Sequence, residues 1–216
     1  MSEFPWTEAA DWLPTPDAQR YGALVTDQMV TVRRHRLEAA RDWLLSGGSV
    51  LFFGPDEAGK TAALDVLVAS VPGWRVLRCV PGQVGAATPY GAVAELLSSA
   101  TARELRGLSE EHRTALDRLA DGRPGRAPAV RAATVRRAVV SLVRSLSRDR
   151  NAVLVIDDLQ WVDEPSADVL RFAAAQVEEL PVRMVAAERV TDRVLPRGRG
   201  LCPSPLLAVR LDALVP

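Results

Sequence analysis

The residues best suited to chemistry form one contiguous run, Gly54-Pro55-Asp56-Glu57-Ala58-Gly59-Lys60-Thr61, which satisfies the pattern G-x-x-x-x-G-K-[ST]. Each fixed position answers a demand made by a string of phosphates. Glycines let backbone N–H groups turn inward and approach the oxygens closely. A lysine reaches the outer phosphates, and a threonine hydroxyl is a hard oxygen ligand for magnesium. A helix starting at the end of such a loop adds the positive end of its dipole. The candidate phosphate cradle is therefore Gly54, Pro55, Asp56, Glu57, Ala58, Gly59, Lys60, Thr61 and Ala62, with Lys60 on the phosphates and Thr61 on the metal. Asp56 and Glu57 set two carboxylates inside this cradle, and these would repel phosphate unless both face solvent.

A second constellation lies about a hundred residues later, where the apolar run Val153-Leu154-Val155-Ile156 ends in Asp157-Asp158. Ligands of open α/β sheets gather beyond the carboxyl ends of the strands. Asp157 is placed to hold magnesium, directly or through water, and Asp158 to orient or activate an attacking water. The plainer alternative is a solvated strand-to-helix turn whose aspartates cap the local backbone.

These two sets of residues need a scaffold that brings them together. Ser49 to Phe53 is a short β-branched and aromatic run between glycines, which reads as a strand buried on both faces. After the glycine loop, Leu64, Leu67, Val68 and Val71 repeat at helical spacing until Pro72-Gly73 ends the pattern. Further strands are expected at Trp74 to Val80, Ala152 to Ile156, Val182 to Ala187 and Leu206 to Leu211. Helices are expected at Met29 to Leu45, Tyr90 to Ala100, Glu110 to Ala120 after a Ser109 cap, Thr134 to Ser147 and Pro165 to Leu180. Asp121 to Pro128 is a loop by composition. The alternation predicts an α/β fold, a P-loop NTPase three-layer sandwich with a mostly parallel sheet of about five strands and helices on both faces. The organisation expected is an irregular arm over 1–25 and a P-loop ATPase domain over 26–216, with a helical insertion at about 88–150.

Composition narrows the function classes. Hydrophobic residues make up 48% and charged residues 25%, ordinary values for a soluble globular chain. The formal net charge is zero, which argues against direct DNA binding by this segment. Arg131, Arg136, Arg137, Arg144, Arg148 and Arg150 cluster along one helix and read as its solvated face. Cys79 and Cys202 have neither CxxC spacing nor companion histidines, which fits a reducing, cytoplasmic setting. No apolar run is long enough to predict a spanning helix, so no membrane partner is expected.

The run DDLQWVDEPSADVLRF at Asp157 to Phe172 resembles the large ATP-binding transcriptional regulators of the LuxR type, a branch of the STAND class of AAA-like signalling ATPases. The likeness extends to the P-loop, to TPYGAVAELL at Thr88 to Leu97, to LSEEHRTALDRLA at Leu108 to Ala120, and to a strand ending near Arg189. The resemblance implies ATP or ADP with Mg2+ as cofactors, Lys60 and Thr61 on phosphate and metal, Asp157 on the metal and Asp158 on the catalytic water. It also implies that Arg189 is a sensor arginine near the terminal phosphate, against the plain reading of a surface charge after a strand. Trp161 matches a family aromatic and equally suits core packing, and Leu24-Val25 is an adenine-side contact by analogy. Family loops usually carry a glycine and a small or apolar residue where this chain has Glu57 and Ala58. Such regulators continue into further domains, so a fragment or truncated relative is expected, with neighbouring domains or self-assembly as partners.

The function expected is a nucleotide switch with slow magnesium-dependent ATP hydrolysis, the enzymatic part being a weak ATPase. Three alternatives stand beside it: a faster autonomous ATPase, a degenerate P-loop serving as a non-catalytic interaction scaffold, and a nucleotide kinase. Asp56 and Glu57 motivate the scaffold. The arginines of 121–137 show no lid pattern that would favour the kinase.

Overall fold

A computed structural model describes residues 16–83, 86, 88–120, 131–177, 180–191 and 194–213, with backbone alone for 16–30. Five strands, β1 (Ser49–Gly54), β2 (Arg75–Cys79), β3 (Ala152–Ile156), β4 (Val182–Arg189) and β5 (Leu206–Arg210), form one sheet in the order β2-β3-β4-β1-β5. Every pairing is parallel. The expected three-layer α/β architecture is the one observed.

The layers follow from alternation along the strands. Val50, Phe52, Val153, Val155, Val185, Ala187 and Val209 point into one core, together with α1 (Pro16–Leu45) and α2 (Lys60–Ala69). Leu51, Leu77, Leu154, Ile156, Met184 and Ala186 point into the other. That second core is closed by α3 (Gly91–Ser98), α5 (Glu110–Ala120), α6 (Ala132–Leu146) and α7 (Glu164–Gln176). A strand with apolar residues at every position is stable only where both its faces are covered, and β1 and β3 meet that condition. On α6 the six apolar positions of the sequence reading, Val135, Ala138, Val139, Leu142, Val143 and Leu146, are all buried.

Three features depart from the sequence reading. Helix α1 begins at Pro16, well before Met29, with proline in the first turn where its missing N–H costs nothing. A short helix, α4 (Ala102–Arg106), carries a full capping box between Thr101 and Glu104. On α6, Arg136 is not simply solvated: its Nε is 2.8 Å from Asp168 and its guanidinium lies 5.9 Å from the Phe172 ring. The Asp121 to Pro128 loop lies outside the described residues, as do the side chains of Leu24 and Val25. No helix among the described residues is long and apolar enough to cross a membrane.

Candidate functional site

The glycine loop starts where β1 runs out of side chains. Gly54 has φ +155°, and a Cβ there would stand 2.0 Å from the backbone oxygen of Leu211. Glycine alone lets β1 keep the neighbouring bonds, Leu211 N–H to Phe53 O at 2.8 Å and Val190 N–H to Gly54 O at 3.1 Å. The chain turns left-handed at Glu57 (φ 57°) and again at Gly59 (φ 67°) before α2 begins. Ala58 is fully buried and anchors the loop to the α1–α2 core, while Arg33 of α1 donates to its carbonyl oxygen. Gly59 is the N-cap of α2 and supplies no side-chain cap, so the first N–H groups of the helix are left for an anion.

Lys60 is buried, with its Nζ donating to Pro55 O at 2.5 Å. Burial lowers its pKa, and Asp56 and Asp158 oppose this effect; Arg189 lowers it further and Asp157 raises it. Asp56, Asp157, Asp158 and Arg189, four of the five other charged residues that the sequence reading singles out for the site, thus lie close enough to bear on one ammonium, and Glu57 does not. Thr61 is exposed on the first turn of α2, and its hydroxyl has no protein partner among the described residues.

The acids reach this place because β4 lies between β1 and β3, bringing the carboxyl ends of all three strands to one sheet edge. Asp157 is buried; its N–H extends the ladder to Cys79 O at 3.1 Å, and its Oδ1 accepts from the N–H of Asp158 at 3.0 Å. Arg78, at the end of β2, stands 3.7 Å from Asp157 Oδ2. Asp158 is left-handed (φ 49°), and its Oδ1 accepts from Gln160 Nε2 at 2.6 Å. The same amide turns its Oε1 to the N–H of Arg189 at 2.8 Å. Gln160 thus ties the second acid to the end of β4.

Arg189 pairs with Gly54 in the strand register. Its Nη1 donates to Asp56 Oδ2 at 2.7 Å, and its guanidinium stands 6.0 Å from the Trp161 ring. Both loop carboxylates are exposed, and they differ in pairing: Asp56 forms an ion pair with Arg189, and Glu57 forms none among the described residues. Gln160, Arg78 and Arg33 were missed by the sequence reading. Gln160 carried a usable signal, being the one side chain of LQW with both a donor and an acceptor, two residues from Asp158.

Two further buried carboxylates hold the surrounding backbone. Asp163 caps α7 by accepting from Ser166 N–H at 2.9 Å, and it also accepts from Tyr90 N–H at 2.8 Å and Ala92 N–H at 3.2 Å at the start of α3. Glu188 accepts from the N–H groups of Arg197 and Gly198 at 2.9 and 2.8 Å, fixing the segment beyond β4. Burial, with Glu188 nearby, pushes the thiol of Cys202 up to about 12, so this cysteine is a packing group rather than a nucleophile.

A family model described as AAA ATPase domain matches residues 26–185. No curated protein matches the chain. Among solved structures, Drosophila ORC bound to GC-rich DNA and Cdc6 is similar over 95% of this chain and 65% of that chain, at 14% identity and a TM-score of 0.50. Drosophila ORC bound to AT-rich DNA and Cdc6 gives 95% and 63%, 12% identity and 0.49. The Thermotoga maritima RuvB Holliday junction branch migration motor gives 85% and 44%, 13% identity and 0.39. The chain thus spans just under two thirds of either ORC chain. At these identities the likeness is one of fold.

Proposed function

This chain belongs to the AAA ATPase domain family, and from that premise we propose that it is an ATP- and ADP-binding switch that hydrolyses ATP slowly with magnesium. One observation carries the reading: because β4 lies between β1 and β3, the loop that leads into Lys60, the pair Asp157 and Asp158 after β3, and Arg189 at the end of β4 meet at one edge of the sheet, joined by the Asp56–Arg189 and Gln160 contacts. An uncapped helix N-terminus and a buried lysine suit phosphates. Thr61 and Asp157 are the hard oxygen donors that would hold the ion. Their small number suits magnesium, which takes its remaining ligands from phosphates and water. When bound, the ion would draw charge off the phosphate oxygens. Asp158 would accept a proton from an attacking water, positioned for that by Gln160, and Arg189 would meet the outermost phosphate.

Two contacts support slow turnover. Lys60 and Arg189 are both engaged internally, with Pro55 O and Asp56, so each must be redirected before chemistry. The same engagement is what favours a second reading, a P-loop domain kept as an interaction scaffold. In the switch reading, differential affinity for ATP and ADP biases how the domain packs against neighbouring domains of a longer LuxR-type regulator, or against further copies of itself. Phosphate release from Mg-ATP, measured with binding on the chain and on Asp158→Asn, separates the readings. A switch loses turnover at least tenfold in the variant while still binding nucleotide; a scaffold shows neither activity.

A further inference from the structure

Asp56 stands in the middle of the phosphate loop, one residue after the carbonyl that holds Lys60, and its carboxylate meets Arg189 at 2.7 Å. The arginine's backbone is fixed on the other side by Gln160. The contact itself is open to water, with the two side chains 41% and 73% exposed. An exposed pair of this kind is held weakly and can be exchanged for a better partner. A terminal phosphate is such a partner, because it matches the guanidinium fork as a carboxylate can and carries more negative charge.

We propose that Asp56 determines how this site discriminates nucleoside triphosphate from diphosphate, because its carboxylate and a terminal phosphate are rivals for one guanidinium, that of Arg189. The inference rests on the nucleotide-binding reading above. A triphosphate reaching Arg189 displaces Asp56 and leaves that carboxylate uncompensated beside its own negative charges. A diphosphate ends one phosphate short, and the Asp56–Arg189 pair survives its binding. Asp56 therefore weakens triphosphate binding more than diphosphate binding.

The experiment is calorimetric titration of Mg-ATP and Mg-ADP into the chain, Asp56→Asn, Arg189→Gln and the double variant. Asp56→Ser serves as a second loop variant, and circular dichroism checks the fold of each. Asp56→Asn should tighten ATP about fivefold and ADP less than about twofold. On the Arg189→Gln background the same change should move both nucleotides alike. Equal tightening of ATP and ADP with Arg189 present would show Asp56 to be only a repelling charge, and would overturn the inference while leaving nucleotide binding intact. No change for either nucleotide would overturn it too. Folded variants that bind neither nucleotide, wild type included, would overturn the nucleotide reading itself and this inference with it.

Discussion

The guanidinium of Arg189 and the carboxylate of Asp56 meet at 2.7 Å across 133 residues of sequence. This contact closes a chain of polar contacts from the phosphate loop to the second acid: Asp56 to Arg189, the Arg189 N–H to Gln160, and Gln160 to Asp158. The first two links join segments that adjacent strands bring to one edge of the sheet, and the third is local to the turn after β3.

Gln160 is the positioning residue in that chain, since it orients Asp158 and the end of β4 with one amide. Gln160→Leu should lower the rate of ATP hydrolysis about tenfold and leave nucleotide affinity within about threefold. Comparing steady-state turnover with calorimetric affinity checks this. An equal loss in both would mean that Gln160 serves binding instead.

Asp163 contributes through the backbone. Asp163→Ala removes a helix cap and leaves the N–H groups of Tyr90 and Ala92 without their acceptor. The expected cost is about 2–4 kcal/mol, or roughly 5–10 °C in Tm for a chain of this size. Asp163→Asn retains one acceptor oxygen and should lose less. Thermal unfolding followed by circular dichroism distinguishes the two.

Much of this was legible in the sequence, for a physical reason. The phosphate loop and the Asp157-Asp158 pair are contiguous motifs whose flanking strands have strong apolar patterns, so both the chemistry and its placement could be read locally. The Asp56–Arg189 and Gln160–Arg189 contacts depend on β4 lying between β1 and β3, which no local pattern encodes. The first half of α1 lacks a clear apolar stripe and was read as an arm. The box Thr101-x-x-Glu104 was a visible helix start that five residues of helix made easy to overlook.

Glu104 makes acid stability testable. Hydrogen bonds from Arg75 hold its carboxyl down at about 2, with burial opposing and Thr101 assisting. A carboxyl depressed in the folded state stabilises the fold above its unfolded value, near 4.5, and loses that contribution as pH falls through about 2. The contribution at neutral pH is at most about 3 kcal/mol. Glu104→Gln should therefore destabilise the chain at pH 7 and converge with the unaltered chain near pH 2. Urea unfolding across that range gives the comparison.

Two glycines with positive φ should respond differently to alanine. A Cβ on Gly54 meets the Leu211 oxygen at 2.0 Å, whereas Gly73 (φ +83°) has nothing within 4 Å. Gly73→Ala should cost only backbone strain, about 1–2 kcal/mol. Gly54→Ala should cost more than about 4 kcal/mol, because β1 and the end of β5 cannot both keep their places. Denaturant midpoints of the two variants decide this.

The central claim is that the loop from Gly54 to Ala62 holds a nucleotide, and calorimetric titration of ATP with magnesium into the chain and into Lys60→Ala tests it most directly. Affinity on the order of micromolar, lost by at least tenfold in the variant, is the predicted result. Absence of binding by the folded chain, or binding that Lys60→Ala leaves untouched, would contradict the account.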